Sequence, residues 1–303
     1  MVPYPMARGF WSKVWLTLEM IRFEHSVFAL PFALTGALLA LREEGFPTAR
    51  LGARLFWIVI AMVAARSAAM AFNRVLDADI DARNPRTGTR HLPAGRLTRG
   101  FAWGFVVVTS AAFMLAASSL NRLCFLLSPA ALAWVFFYSF TKRFTSLSHL
   151  VLGLALGIAP AAAWIAVEGS LDPRILWLSA AVTFWTAGFD IIYSCQDYQF
   201  DVETGLFSLP RRLGIGGALM IARAFHILMI LCLAALATGF RLGALSLAGA
   251  GVVAALLIWE HRLVKADDLS RVDAAFFTVN GCVSVLFFLF WAADILFLSR
   301  GRA

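Results

Sequence analysis

Seven side chains, set at helical intervals in two short stretches, are the ones in this chain best equipped for chemistry. In the first stretch, NRVLDADIDARNPRTGTRHLPAGR, Asn73, Asp77 and Asp81 are four residues apart. On a helix they share one face, and Asp79 points away from it. The second stretch, GFDIIYSCQDYQFDVETG, repeats the interval at Asp197 and Asp201. Tyr193 lies four residues before Asp197, and Asp190 sits about a turn deeper. Carboxylates beside long apolar runs are costly unless something positive meets them. A hard divalent cation such as Mg2+ prefers such oxygen donors and keeps company with phosphate oxygens. A solvated helix end would also explain either stretch alone. Two stretches on one membrane face would repel each other if empty, and a metal-bound diphosphate relieves that repulsion. Asn73, Asp77, Asp81, Asp197 and Asp201 are therefore the expected metal ligands, and Asp190 and Tyr193 the expected catalytic or acceptor-orienting groups.

Cations accompany the acids. YSFTKRFT carries Lys142 and Arg143, and Arg74 follows Asn73 directly. A mobile ammonium and a forked guanidinium suit a diphosphate and its developing charge, so Arg74, Lys142 and Arg143 are the expected diphosphate-binding residues and Lys142 an expected catalytic one. The turn residues of RHLPAGR, Pro93 and Gly95 between Arg90 and Arg96, suit a short lid. Near the N-terminus, MIRFEHSVFALPFA offers Arg22 and His25 as expected acceptor-binding residues. His91, His149, His226 and His261 show no close metal-ligand spacing.

The elements that must hold these residues are membrane helices. The 303 residues are 61% hydrophobic and only 15% charged, with a mean hydropathy of +0.79. A soluble domain carries roughly a quarter charged residues, so there is too little polar surface here for one. Long apolar windows fall at 18–41, 51–73, 102–120, 122–140, 148–168, 174–197, 216–239, 241–259 and 275–298, which predicts nine transmembrane helices in an all-α, polytopic protein. A single domain over residues 1–303 is expected. The connections after the even-numbered spans are the more basic ones, which puts them, both acidic stretches and the N-terminus on the cytoplasmic side and the C-terminus outside. The net charge of +8 is then a topology and lipid-contact signal, not a nucleic-acid footprint. Cys124, Cys195, Cys232 and Cys282 read as small hydrophobes in or beside apolar runs. No cleavable signal stands out in the first twenty residues. Gly36, Gly153 and Gly157 could allow close helix contact, and Pro31 and Pro160 could kink their helices. A hydrocarbon-lined bundle behind the acidic stretches implies that the diphosphate carries a hydrocarbon chain. An ion-coupled secondary transporter is the other class these residues allow.

Taken together, the motifs resemble those of the UbiA-type intramembrane aromatic prenyltransferases. NxxxDxxxD falls on Asn73, Asp77 and Asp81, and the second aspartate pair on Asp197 and Asp201 after Tyr193. LPxGR falls on Leu92 to Arg96, and YxxxKRxT on Tyr138, Lys142, Arg143 and Thr145. The resemblance covers about residues 18–298. It implies nine helices around a central cavity capped by the motif loops. It also implies Mg2+-dependent transfer of a polyprenyl group from its diphosphate to an aromatic acid of the 4-hydroxybenzoate kind, in a prokaryotic inner membrane. The segment RFEHSVFALPFA departs from the ubiquinone branch and is more similar to menaquinone-associated members, so either quinone route, or a non-quinone acceptor, is compatible with it.

Overall fold

The computed structural model describes residues 9–21, 26–46 and 51–298. No β-strand occurs among them, and eleven α-helices account for most of the chain: α1 (Phe10–Met20), α2 (Ser26–Glu43), α3 (Leu51–Asp81), α4 (Arg99–Leu120), α5 (Arg122–Thr141), α6 (Ser148–Glu168), α7 (Leu176–Ser194), α8 (Tyr198–Thr204), α9 (Leu209–Gly239), α10 (Ala244–Leu263) and α11 (Asn280–Ala293). Neighbours along the chain pack as neighbours in space from α3 to α7, then α7 on α9, α9 on α10, α10 on α11 and α11 on α2. Contacts of α2 with α3 and α6 close the bundle.

Among the described residues eight helices are long and apolar enough to cross a membrane, one fewer than the nine expected. The difference lies at the first expected span, 18–41. There the chain forms two helices, α1 and the 18-residue α2. The residues that join them, 22–25, lie outside the described ones. The second difference lies at span 174–197. The α-helix stops at Ser194, and Cys195–Asp197 form a 3-10 turn before α8, so Asp197 and Asp201 do not share one continuous α-helix. Elsewhere the expected ends agree within a turn or so, except that α3 runs on from 73 to Asp81 and α9 begins at Leu209, ahead of 216. The α4–α5 break falls at Asn121, whose side chain accepts from Cys124 N at 2.8 Å and donates to Ile165 O at 2.7 Å.

Helix length positions the chemistry. At 1.5 Å per residue α3 is about 46 Å long, against a hydrocarbon layer of about 30 Å. Its last turns, with Asn73, Asp77 and Asp81, therefore emerge from the apolar layer. Small residues set the close approaches. The Gly36 position on α2 leaves no room for a Cβ, which would stand 2.5 Å from Pro160 O on α6. A Cβ on Gly157 of α6 would stand 2.6 Å from Ser179 O and strike the Thr183 hydroxyl, and one on Gly153 would strike Thr183 O. The α6–α7 seam is thus backbone against backbone, the small-residue packing that a lipid setting favours. The core behind it is aromatic: Phe32 stacks on Phe287 at 4.5 Å and tilts against Trp185 at 4.9 Å. Large apolar side chains such as Val107, Leu126, Ile227 and Leu289 lie exposed on the outside, as in a protein whose outer solvent is hydrocarbon.

Candidate active site

Both acidic stretches reach the same cavity. It has a volume of about 620 Å³ and is lined by Asn73, Asp77 and Asp81 from α3, Lys142 at the end of α5, Asp190 and Tyr193 from α7, and Asp197 and Asp201 just beyond it. The carboxylates do not repel one another openly, because cations of the chain hold each corner. Asp77, almost fully buried, accepts from Lys142 Nζ at 2.6 Å, Arg143 at 3.0 Å and Asn73 Nδ2 at 3.0 Å. Asp81 takes both its hydrogen bonds from Arg90 Nη1 at 2.8 Å. Asp197 accepts from Asn84 Nδ2 at 2.9 Å and from Arg86 through a forked pair, with Nε at 2.9 Å. The same guanidinium donates to Tyr193 Oη at 2.9 Å and lies over its ring. Asp201 is buried and accepts from Ser208. Burial alone would lower the Arg86 pKa, but the Asp197 carboxylate outweighs it and holds the group above the ordinary arginine value. Asp79 points away as expected, exposed and paired with Arg99.

The loop between α3 and α4 acts as a latch over this chamber. Its arginines bind Asp81 within their own stretch and Asp197 across to the second. Gly95 takes a positive φ of 69° in the turn, and Leu92, Pro93 and Arg96 line the cavity, as the lid reading expects. His91 is tucked beneath the loop. Burial, ahead of the charges of Arg96 and Arg74, lowers its pKa, despite Glu19 Oε2 at 3.3 Å. Arg74 also lines the chamber, and its Nε reaches Met20 O at 3.4 Å. Arg143 is anchored on Ser139 O at 2.6 Å and Leu76 O at 3.1 Å, so it is held more firmly than Lys142.

A second cavity, about 750 Å³ and almost wholly apolar, continues from the first. Arg66, Met70, Asn73, Tyr138, Leu152 and Leu156 line both. Its walls owe their space to alanines at helical intervals, Ala61, Ala65 and Ala69 on α3 and Ala155, Ala159 and Ala162 on α6. Leu127, Leu154 and Leu176 at its edge are also exposed on the outer surface.

Among the described residues no three carboxylate, histidine or cysteine side chains already converge as a metal site. The donor chemistry nevertheless fits Mg2+: the carboxylates of Asp77, Asp81, Asp197 and Asp201 and the Asn73 amide oxygen, all hard donors, border one chamber beside cations that could move to phosphate. Arg22 and His25 lie outside the described residues. Sequence reasoning missed Asn84 and Arg86, whose partner Asp197 is more than a hundred residues away, and Arg66, hidden in an apolar window. It also set His149 aside, although its Nδ1 lies 2.7 Å from Asp190 Oδ2.

This geometry is that of a membrane-embedded enzyme fold, and the chain belongs to the UbiA prenyltransferase family, whose model matches residues 29–293. It is 31% identical over 256 residues to a 4-hydroxybenzoate octaprenyltransferase from Ectopseudomonas mendocina (strain ymp), covering 84% of each chain. A UbiA homologue from Aeropyrum pernix K1, solved without ligand, superposes with a TM-score of 0.81 at 35% identity, over 90% of this chain and 98% of that one. A more distant homologue from Archaeoglobus fulgidus, bound to GPP and Mg2+, has the same fold, with a TM-score of 0.71 at 20% identity over 92% and 99% of the two chains. The chain is a multi-pass membrane protein.

Proposed function

We propose that this protein transfers a polyprenyl group from polyprenyl diphosphate to an aromatic acid of the 4-hydroxybenzoate type, with Mg2+ as cofactor, for quinone synthesis in a prokaryotic inner membrane. The active site would open to the cytoplasm, with the N-terminus on that side. One observation carries the reading: a chamber of paired acids and cations runs directly into an alanine-walled apolar cavity. That is the shape of a charged head on a hydrocarbon tail. The named activity of the Ectopseudomonas relative and the ligands of the Archaeoglobus homologue support it.

Asp77, Asp81, Asp197, Asp201 and Asn73 are the residues that would hold Mg2+, and the ion would supply Lewis-acid stabilisation of the diphosphate. In the present structure Lys142, Arg143, Arg90 and Arg86 neutralise these carboxylates. On substrate binding these cations, with Arg74, exchange carboxylate for phosphate oxygen and take up charge as the prenyl carbon–oxygen bond breaks. Phe28, Phe189, Phe276 and Tyr193, in mutual contact beside the chamber, present ring faces and edges that exclude water from an allylic cation and stabilise it. Arg66, the cation common to both cavities, is suited to the acceptor carboxylate, with Arg22 and His25 as sequence-based candidates for the same task.

The test is a labelled long-chain prenyl diphosphate, Mg2+ and a panel of aromatic and non-aromatic acceptors, with products identified by mass spectrometry. A prenylated aromatic acid supports the reading. Transfer confined to a non-aromatic acceptor, or ion transport without transfer, overturns it.

A further inference from the structure

We infer that His149 is the base that takes the ring proton of the acceptor once the new carbon–carbon bond has formed. The inference rests on the prenyl-transfer reading and adds a residue to it. His149 opens α6, and its ring Nδ1 lies 2.7 Å from Asp190 Oδ2. Both side chains line the charged chamber. An ionised carboxylate can only accept, so the Nδ1 position carries the hydrogen and Nε2 keeps its lone pair. That Nε2 is buried, on a side chain only 5% exposed, and has no hydrogen-bond partner among the described residues. Buried polar atoms normally have one. His226 is a contrast within the same fold: one nitrogen meets His261 at 3.0 Å and the other Trp185 O at 3.4 Å. A structural histidine looks like His226. His149 has one edge fixed by a carboxylate and the other left for a ligand, the arrangement of a base oriented by a third group.

The neighbouring candidates are already engaged. The Tyr193 hydroxyl is tied to Arg86, and Asp190 has committed Oδ2 to the imidazole. The fold supports the pair mechanically. His149, Gly153 and Gly157 fall four apart on α6, and the two glycines bring that face onto Thr183 of α7, the helix that carries Asp190. In the step itself, the prenyl C1–O bond has broken with its electron pair on the diphosphate oxygen. A ring π pair then forms the C–C bond and leaves the ring cationic. The C–H pair at that carbon returns to the ring, and the proton moves to His149 Nε2. The resulting imidazolium is held against the Asp190 carboxylate. Asp190 is then a positioning residue and His149 a catalytic one.

The test compares wild type with His149→Asn, whose amide can still donate to Asp190 but offers no basic nitrogen. Three readouts are taken: kcat for transfer, binding of a prenyl diphosphate with Mg2+, and the kinetic isotope effect with ring-deuterated 4-hydroxybenzoate. The expected result is a kcat loss of about 100-fold or more with prenyl diphosphate affinity within about threefold of wild type. The isotope effect should rise from about 1 to about 2 or more as proton loss becomes limiting. A variant within about threefold of the wild-type kcat overturns the assignment, and so does a kcat loss with no rise in isotope effect. If His149→Asn does not bind prenyl diphosphate, Asp190→Asn decides, because it leaves the imidazole but removes the negative charge that orients it and holds the imidazolium; it should lose kcat and raise the isotope effect, and an unchanged isotope effect overturns the assignment. A wild-type protein that prenylates no aromatic acceptor overturns the functional reading itself, a result distinct from any of these.

Discussion

Replacing Gly157 with alanine tests whether the α6–α7 seam sets the chemistry. The added methyl would stand 2.6 Å from Ser179 O and collide with the Thr183 hydroxyl, which is itself bonded to Ser179 O at 2.8 Å. Ordinary contact begins at 3.4 Å, so the carbonyl alone must retreat by about 0.8 Å. That carbonyl belongs to the helix backbone, and a packed core does not absorb such a shift locally. Overpacking of this kind costs about 1–3 kcal/mol. The separation of α6 from α7 also stretches the His149–Asp190 pair, now at 2.7 Å. A misplacement near 1 Å can cost about 100-fold in rate. Gly157→Ala should therefore lower both the melting temperature and kcat. Gly104, on α4, has nothing within 4 Å of its Cβ position and is the control. Gly104→Ala should be neutral, or more stable by up to about 1 kcal/mol. Equal activity and melting temperature in Gly157→Ala and wild type would refute the argument that backbone contact at this seam positions the site.

Two further outcomes are expected. Asn280 donates to Glu260 at 2.7 Å and accepts from Trp185 Nε1 at 2.7 Å in a fully buried knot, so Asn280→Ala strands both partners. A stability loss of about 2–5 kcal/mol should appear in thermal or denaturant unfolding in detergent. The imidazole of His91 has its pKa lowered, chiefly by burial, so the unfolded chain binds its proton more readily. Its contribution to stability is present above the unfolded histidine pKa of about 6.5 and is lost as pH falls below it. Melting temperatures measured from pH 7 to pH 5 should fall more steeply in wild type than in His91→Gln.

Some of this architecture is legible in the sequence because helical spacing is a local property. Asn73, Asp77 and Asp81 fall on one uninterrupted helix, and the glycines at 36, 153 and 157 mark real contacts. What escaped has a common cause, since the informative neighbour is distant along the chain. His149 is unremarkable until the glycine seam brings α7 against it, 41 residues on. Arg86 belongs to a basic loop that reads as a topology signal, and only the fold reveals that it latches Asp197. Tyr193, Asp197 and Asp201 look like one helical face, but a 3-10 turn at Cys195–Asp197 parts α7, which carries Tyr193, from α8, which carries Asp201.

The central claim is that the two acidic corners jointly bind a metal-bound diphosphate, displacing the internal cations that hold them. It is tested most directly by the affinity for a non-hydrolysable prenyl diphosphate analogue with and without Mg2+. The measurement is made on wild type and on the double variant Asp77→Asn, Asp197→Asn. In wild type Mg2+ should tighten binding by about 100-fold or more, since two unit charges about 4 Å apart near a protein surface interact by about 4 kcal/mol. In the double variant Lys142, Arg143 and Arg86 are released from their carboxylates, so metal-free binding should be no weaker than in wild type and the response to Mg2+ should shrink to about one- to threefold. A double variant that keeps the wild-type Mg2+ response would contradict the account.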